Sequence, residues 1–184
     1  MNPVTPTSPD ESIVRDPALS LFQKVLLTTD GTVTQLLGLY TGQPVRVNKL
    51  ENTITRGLAS SLLMIDDHDE VLKRAILLCT GTTAAPRNLL YAESLFVIAR
   101  LPTAMQSQLL ESDRPIGLLW REQRMETYRE IVACRREPCG FLAPHFGLDQ
   151  DAPLLARSYL IYHQQKPLGV ITEKFPASYF LDRN

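Results

Sequence analysis

The chain has 184 residues, of which 44% are hydrophobic and 21% charged, with a formal net charge of −1. This length and balance fit one soluble globular domain large enough to bury a core, and the near-neutral charge argues against a broad basic surface for nucleic acid or an anionic membrane. No stretch approaches the ~18 consecutive apolar residues of a membrane span, so neither a nucleic-acid partner nor a membrane span is expected.

The opening MNPVTPTSPDES has neither a basic start nor an apolar run, so it does not read as a secretory signal. Its Pro, Ser and Thr content predicts a flexible leader over residues 1–14, ahead of a single domain over 15–184. In DPALSLFQKVLLTTDG, residues Leu19, Phe22, Val25 and Leu26 recur at helical spacing. TVTQLLGLYTG follows as a second short helix, with Thr32 and Gln35 as a T-x-x-Q capping box and Gly42 as its stop.

PVRVNKLENTIT then alternates like a strand, and MIDDHDE reads as an acidic turn. VLKRAILLC is the next strand, TGTTAAPRN a loop, and LLYAESLFVIARLP a further strand ended by Pro102. TAMQSQLLESDRPIGLLW reads as helical but interrupted at SDRPIG, where Pro115 suits the first turn of a new helix and Ser112 or Asp113 its cap.

REQRMETYREIVACRRE stays open: its charge pairs favour a helix, while the alternation of Tyr128, Glu130 and Val132 favours a strand. The tail APLLARSYLIYHQQKPLGVITEKFP predicts two strands joined by HQQK as an antiparallel hairpin. Helices followed by mainly antiparallel strands give an α+β domain.

Cys79, Cys134 and Cys139 are odd in number and lack CxxC spacing, so free thiols in a reducing compartment are expected. His68, His145 and His163 are scattered without metal-ligand spacing, and no metal site is expected.

Two charges break the apolar pattern. Leu72, Arg74, Ile76 and Leu78 share one face of their strand, and Ile171, Glu173 and Phe175 share one face of theirs. Lys174, on the other face, reads as reaching water from an edge. Two bland explanations stand beside a functional one: Arg74 and Glu173 form a buried structural ion pair, or their strands lie at an edge and the charges reach water. The functional reading is an apolar cavity with polar anchors, in which Arg74 clamps a carboxylate by its bidentate fork and Glu173 hydrogen-bonds a ligand hydroxyl. The helix start after Thr32 would add the N–H groups of Val33 and Thr34, and the SDRPIG start those of Ile116 and Gly117.

The blocks LLTTDGTVTQLL, RAILLCTG, RPIGLLWREQRMETYRE and LGVITEKFPASYF, in that order, resemble the chorismate pyruvate-lyase family, most closely its cyanobacterial-type branch. The likeness runs from about Leu19 to Phe180. It implies an α+β fold with a central antiparallel sheet, flanking helices and an enclosed ligand cavity, and makes METYREIVAC a strand. The implied activity removes the enolpyruvyl group of chorismate without metal or cofactor, giving 4-hydroxybenzoate and pyruvate for plastoquinone or ubiquinone synthesis.

By resemblance, Arg74 matches the arginine that holds the ring carboxylate and Glu173 the acid facing the ring hydroxyl. Val33 falls where the family supplies a backbone amide, although its better-known bacterial branch has Met there. Ile116 falls where a second amide is supplied, usually by Leu. Arg121, Arg124 and Arg129 are the candidates for the second carboxylate. A cytoplasmic monomer or weak dimer is expected, with chorismate and 4-hydroxybenzoate as its small-molecule partners. The alternative is a non-catalytic binding module, as in the effector-sensing domains of transcription regulators. Those carry a winged helix upstream, for which the leader here is too short. A third reading, an assembly protein, would leave Arg74 and Glu173 paired with no cavity between them.

Overall fold

Runs rich in Val, Ile, Leu and Tyr select six strands of ten to twelve residues, the two outer ones alternating in burial and the four inner ones buried along at least half of their length. They are β1 (Arg46–Thr55), β2 (Val71–Gly81), β3 (Pro86–Val97), β4 (Tyr128–Pro138), β5 (Pro153–His163) and β6 (Lys166–Pro176). The computed structural model describes residues 11–111 and 116–182. Among them, the strands form one sheet in the order β1-β2-β3-β6-β5-β4, every pair antiparallel. Two three-strand meanders are thus zipped together along β3 and β6, which places β2 and β6 in the sheet interior.

The helices are α1 (Glu11–Val14), α2 (Leu21–Thr28), α3 (Val33–Thr41), α4 (Thr103–Glu111), α5 (Ile116–Glu122) and α6 (Ala143–Phe146). α2 to α5 contribute Leu26, Leu27, Leu37, Met105 and Leu119 to a core that also takes Phe96 and Phe175 from the sheet. Full burial of each of these leucines is worth about 1.5–3 kcal/mol. α6 helps cover part of the opposite face, over Ala75, Leu77, Tyr91 and Leu154. No helix of the described residues is long and apolar enough to cross a membrane.

Several expectations hold at residue level. METYREIVAC becomes β4, apart from its first residues, and β5 and β6 form the expected hairpin. Its turn residues Gln164 and Gln165 both have positive φ, the geometry that Asn-Gly usually supplies. Gly42 closes α3 in the left-handed region at φ 65°, with its N–H on the Gly38 carbonyl. None of the three cysteines forms a disulfide, and all are buried.

Others need correction. The capping box lies at Ser20 and Gln23, where each side chain takes the other's backbone N–H, whereas Thr32 occupies the N-cap of α3 with no side-chain bond. Gln23 is buried and also donates to the carbonyls of Ala177 and Tyr179, so the box ties α2 to the C-terminal segment. The end of the expected leader is helical, and Ile13 and Val14 pack against the core. Much of TGTTAAPRN is strand: Thr80 and Gly81 finish β2, and Pro86 opens β3. Lys174 does not reach water from an edge, since β6 is an interior strand and the residue is buried. The expected cap at Ser112 or Asp113, and Pro115, lie outside the described residues.

Candidate functional site

The strand faces put Arg74, Ile76 and Leu78 of β2, Ala92 and Ser94 of β3, Ile171 and Glu173 of β6 and Tyr159 of β5 under one helix-covered hollow. The starts of α3 and α5 form its roof, with Trp120 and with Arg129 reaching in from β4. The hollow holds about 570 Å³ of atom-free space, part of it continuous with solvent. Its walls are mainly apolar, with a few convergent polar groups, the usual character of a small-molecule site.

Register sets the spacing of the two sequence-predicted charges. Arg74 pairs across the sheet with Ser94, which pairs with Ile171, while Glu173 pairs with Ala92, which pairs with Ile76. Arg74 and Glu173 therefore sit two strands apart and two residues out of step, which separates their backbones by roughly 12 Å at ordinary sheet spacings. Both are buried, at 3% and 7% exposure.

The cation that engages Glu173 is Arg157, not the Arg74 of the ion-pair explanation. Arg157 Nε donates to Glu173 Oε2 at 2.7 Å, and the Tyr159 hydroxyl donates to Oε1 at 3.2 Å. Burial alone would lower the pKa of Arg157, but the adjacent carboxylate outweighs it and holds the guanidinium above its ordinary value. Tyr159 is pushed up, first by burial and then by the Glu173 charge.

Arg157 was missed in the sequence, although the same signal announced it. Leu155, Arg157, Tyr159 and Ile161 share a face of β5, so an arginine again sits where its neighbours are apolar.

Val33 is buried at the start of α3, where the first intrahelical bonds run from Gln35 and Leu36 to the Thr32 carbonyl. The N–H groups of Val33 and Thr34 precede those bonds at the cavity wall. Gly117 brings the second helix start close: a Cβ there would lie 3.1 Å from Thr32 Cγ2.

Of the three arginines proposed for a second carboxylate, Arg129 lines the cavity, whereas Arg121 and Arg124 are exposed and lie outside its lining. Arg129 Nη1 donates to the carbonyls of Gly31, at 2.8 Å, and Asp30, bracing the turn before α3. Its guanidinium lies 5.7 Å from the centre of the Trp120 ring. Among the described residues, the buried Trp120 Nε1 and Arg129 Nε meet no acceptor. No group of three potential metal ligands occurs among the described residues.

Comparison with known proteins gives this geometry a context. A chorismate pyruvate-lyase from Mycobacterium leprae is 30% identical over 165 residues, covering 86% of this chain and 76% of its own. One from Mycobacterium tuberculosis strain CDC 1551 is 27% identical, covering 86% and 81%. The effector domain of PhnF from Mycobacterium smegmatis superposes with a TM-score of 0.63 at 14% identity, over 83% of this chain and 92% of that one, a likeness of fold alone. These matches are mycobacterial and lend no support to the cyanobacterial-type branch. A family model described as chorismate pyruvate-lyase Rv2949c-like matches residues 27–181, and the chain therefore belongs to that family.

Proposed function

We propose that this protein is a chorismate pyruvate-lyase, converting chorismate to 4-hydroxybenzoate and pyruvate without a cofactor. The observation that carries the reading is the shared cavity. Arg74 and Glu173, the residues singled out from the sequence, line one hollow from separate strands, with the α3 start beside them. Family membership supports chorismate as the substrate.

In this reading Arg74 holds the ring carboxylate through paired N–H bonds, and the Val33 and Ile116 backbone amides complete the anion site. Glu173 accepts the hydrogen bond of the ring hydroxyl. The second carboxylate, on the enolpyruvyl group, meets the Nε–H of Arg129 and the indole N–H of Trp120, two buried donors that lack acceptors among the described residues. Leaving a buried donor unsatisfied costs about 1–3 kcal/mol, which an anionic ligand oxygen there would recover.

The chemistry then needs little from the protein. The ether C–O bond to the ring breaks, and the proton on the hydroxyl-bearing ring carbon is lost. The ring becomes aromatic, and the departing enolpyruvyl group takes up a proton to become pyruvate. Because Glu173 is engaged by Arg157 and Tyr159 and faces the hydroxyl, it positions the ring, and the leaving group itself accepts the carbon-bound proton. Cationic donors around the departing enolpyruvyl group stabilise the charge that develops on its ether oxygen as the bond breaks. The product would enter quinone synthesis.

A second reading has the shared fold in its favour: a module that binds an aromatic acid without reacting it. Incubation with chorismate, followed by chromatography for 4-hydroxybenzoate, separates the two. The lyase reading expects product to accumulate catalytically. Saturable binding with no product would establish the module, and neither outcome would refute both.

A further inference from the structure

We infer that Arg157 is a positioning residue that sets the orientation of Glu173 and ties it to the backbone turn feeding the α3 anion site. This rests on the lyase reading and deepens it. Arg157 is 2% exposed at the middle of β5, and its guanidinium bridges two places that are distant in sequence. Nε reaches Glu173 Oε2 at 2.7 Å, and Nη1 reaches the Thr29 carbonyl at 2.6 Å.

Thr29 caps the C-terminus of α2, and four residues later Val33 opens α3 at the cavity wall. One planar group thus holds both the acid that faces a ring hydroxyl and the turn carrying the amides that face a ring carboxylate. The Arg157 guanidinium lies 5.1 Å from the Tyr159 ring centre, and the Tyr159 hydroxyl takes the other carboxylate oxygen. With one donor on each oxygen, the Glu173 carboxylate is fixed in plane and keeps a lone pair for ligand.

Stability does not explain the arrangement. Desolvation of a buried pair largely cancels its Coulomb attraction, and a well-packed apolar pair would serve a core as well. What the pair supplies is geometry: one side chain spans from the hydroxyl-binding end of the hollow to the turn that leads into its carboxylate-binding end. In the lyase reading these two ends receive the para-related hydroxyl and carboxylate of one ring.

A double-mutant cycle on turnover tests the idea with Arg157→Lys, Glu173→Gln and the two combined. Lysine keeps the charge but is a point donor on a flexible stem and cannot reproduce the planar two-ended bridge. Arg157→Lys is expected to lower kcat roughly tenfold with KM within about threefold, because positioning is lost while ligand anchors remain. In the Glu173→Gln background, the same change should alter kcat by less than about twofold, since its target is already altered.

An equal tenfold loss in both backgrounds overturns the inference, as does wild-type kcat for Arg157→Lys. Thermal melts of all four proteins confirm that folded material is compared. If the wild type fails to turn over chorismate, the lyase reading falls. The cycle is then read on 4-hydroxybenzoate affinity by calorimetry, where coupled losses uphold the bridge and additive ones refute it.

Discussion

The two faces of the sheet hold their charges in different states. On the face away from the main helices, Lys174 pairs with Glu137 at 2.8 Å and Glu93 at 3.4 Å, and Arg135 pairs with Glu137 at 2.8 Å. Tyr91 donates to Glu93, and Ser158 shares a hydrogen bond with Thr172, so cations, acids and hydroxyls close on one another. On the helix side, Arg74, Arg129 and Glu173 line the hollow, Arg157 bonds Glu173 from within the sheet, and among the described residues the buried Trp120 Nε1 and Arg129 Nε find no acceptor. Glu173 and Lys174 are chain neighbours, yet one belongs to a balanced network and the other to a donor-rich hollow. A buried charge is therefore weak evidence of a site until its partners are known.

The sharpest way to break this contrast is to remove one cation from each face. Arg74→Ala should lower turnover of chorismate about 10²–10³-fold, the usual cost of losing a charge-positioning donor. Circular dichroism should show the fold retained. Full turnover at unchanged KM would remove Arg74 from the site. Lys174→Met should do the reverse: stability falls by about 3 kcal/mol in urea unfolding, because Glu137 and Glu93 lose a buried partner. Its kcat/KM should stay near wild type once the fraction folded is accounted for. A large loss of activity with unchanged stability would mean that the two faces are not separate in function.

Much of this was legible in the sequence because period-two alternation is local. It displayed Arg74 and Glu173 as intruders on apolar faces, and it gave the β5–β6 hairpin, whose apolar runs bracket a short polar turn. What local pattern cannot give is strand order. Lys174 looked like an edge residue because nothing near it in sequence reveals that β6 lies between β3 and β5. Its partners Glu93 and Glu137 lie on other strands, far away in sequence. The capping box was misplaced for a related reason. Ser20–Gln23 and Thr32–Gln35 both fit the motif, and what sets Gln23 apart is its bonding to the C-terminal segment, which is remote in sequence. Of the candidate arginines, Arg129 was distinguished from Arg121 and Arg124 only by the strand register that turns it into the cavity.

The smallest effect sharpens the comparison by pH. Burial alone would raise the Glu137 carboxyl, but hydrogen bonds from Lys174 and Arg135, with their charges, together hold it below its ordinary value of 4.5. An acid whose folded value lies below its unfolded one stabilises the fold fully above the unfolded value and loses that contribution as pH falls through the folded value. Stability should therefore decline below about pH 4.5, and Glu137→Gln should flatten that decline while costing some stability at pH 7. Urea midpoints measured from pH 7 to pH 3 check both signs. Since Glu137 faces away from the hollow, the variant's kcat/KM at pH 7 should match wild type. An unchanged acid slope would mean that the network on this face contributes no pH-linked stability, and that its closure is geometric rather than energetic.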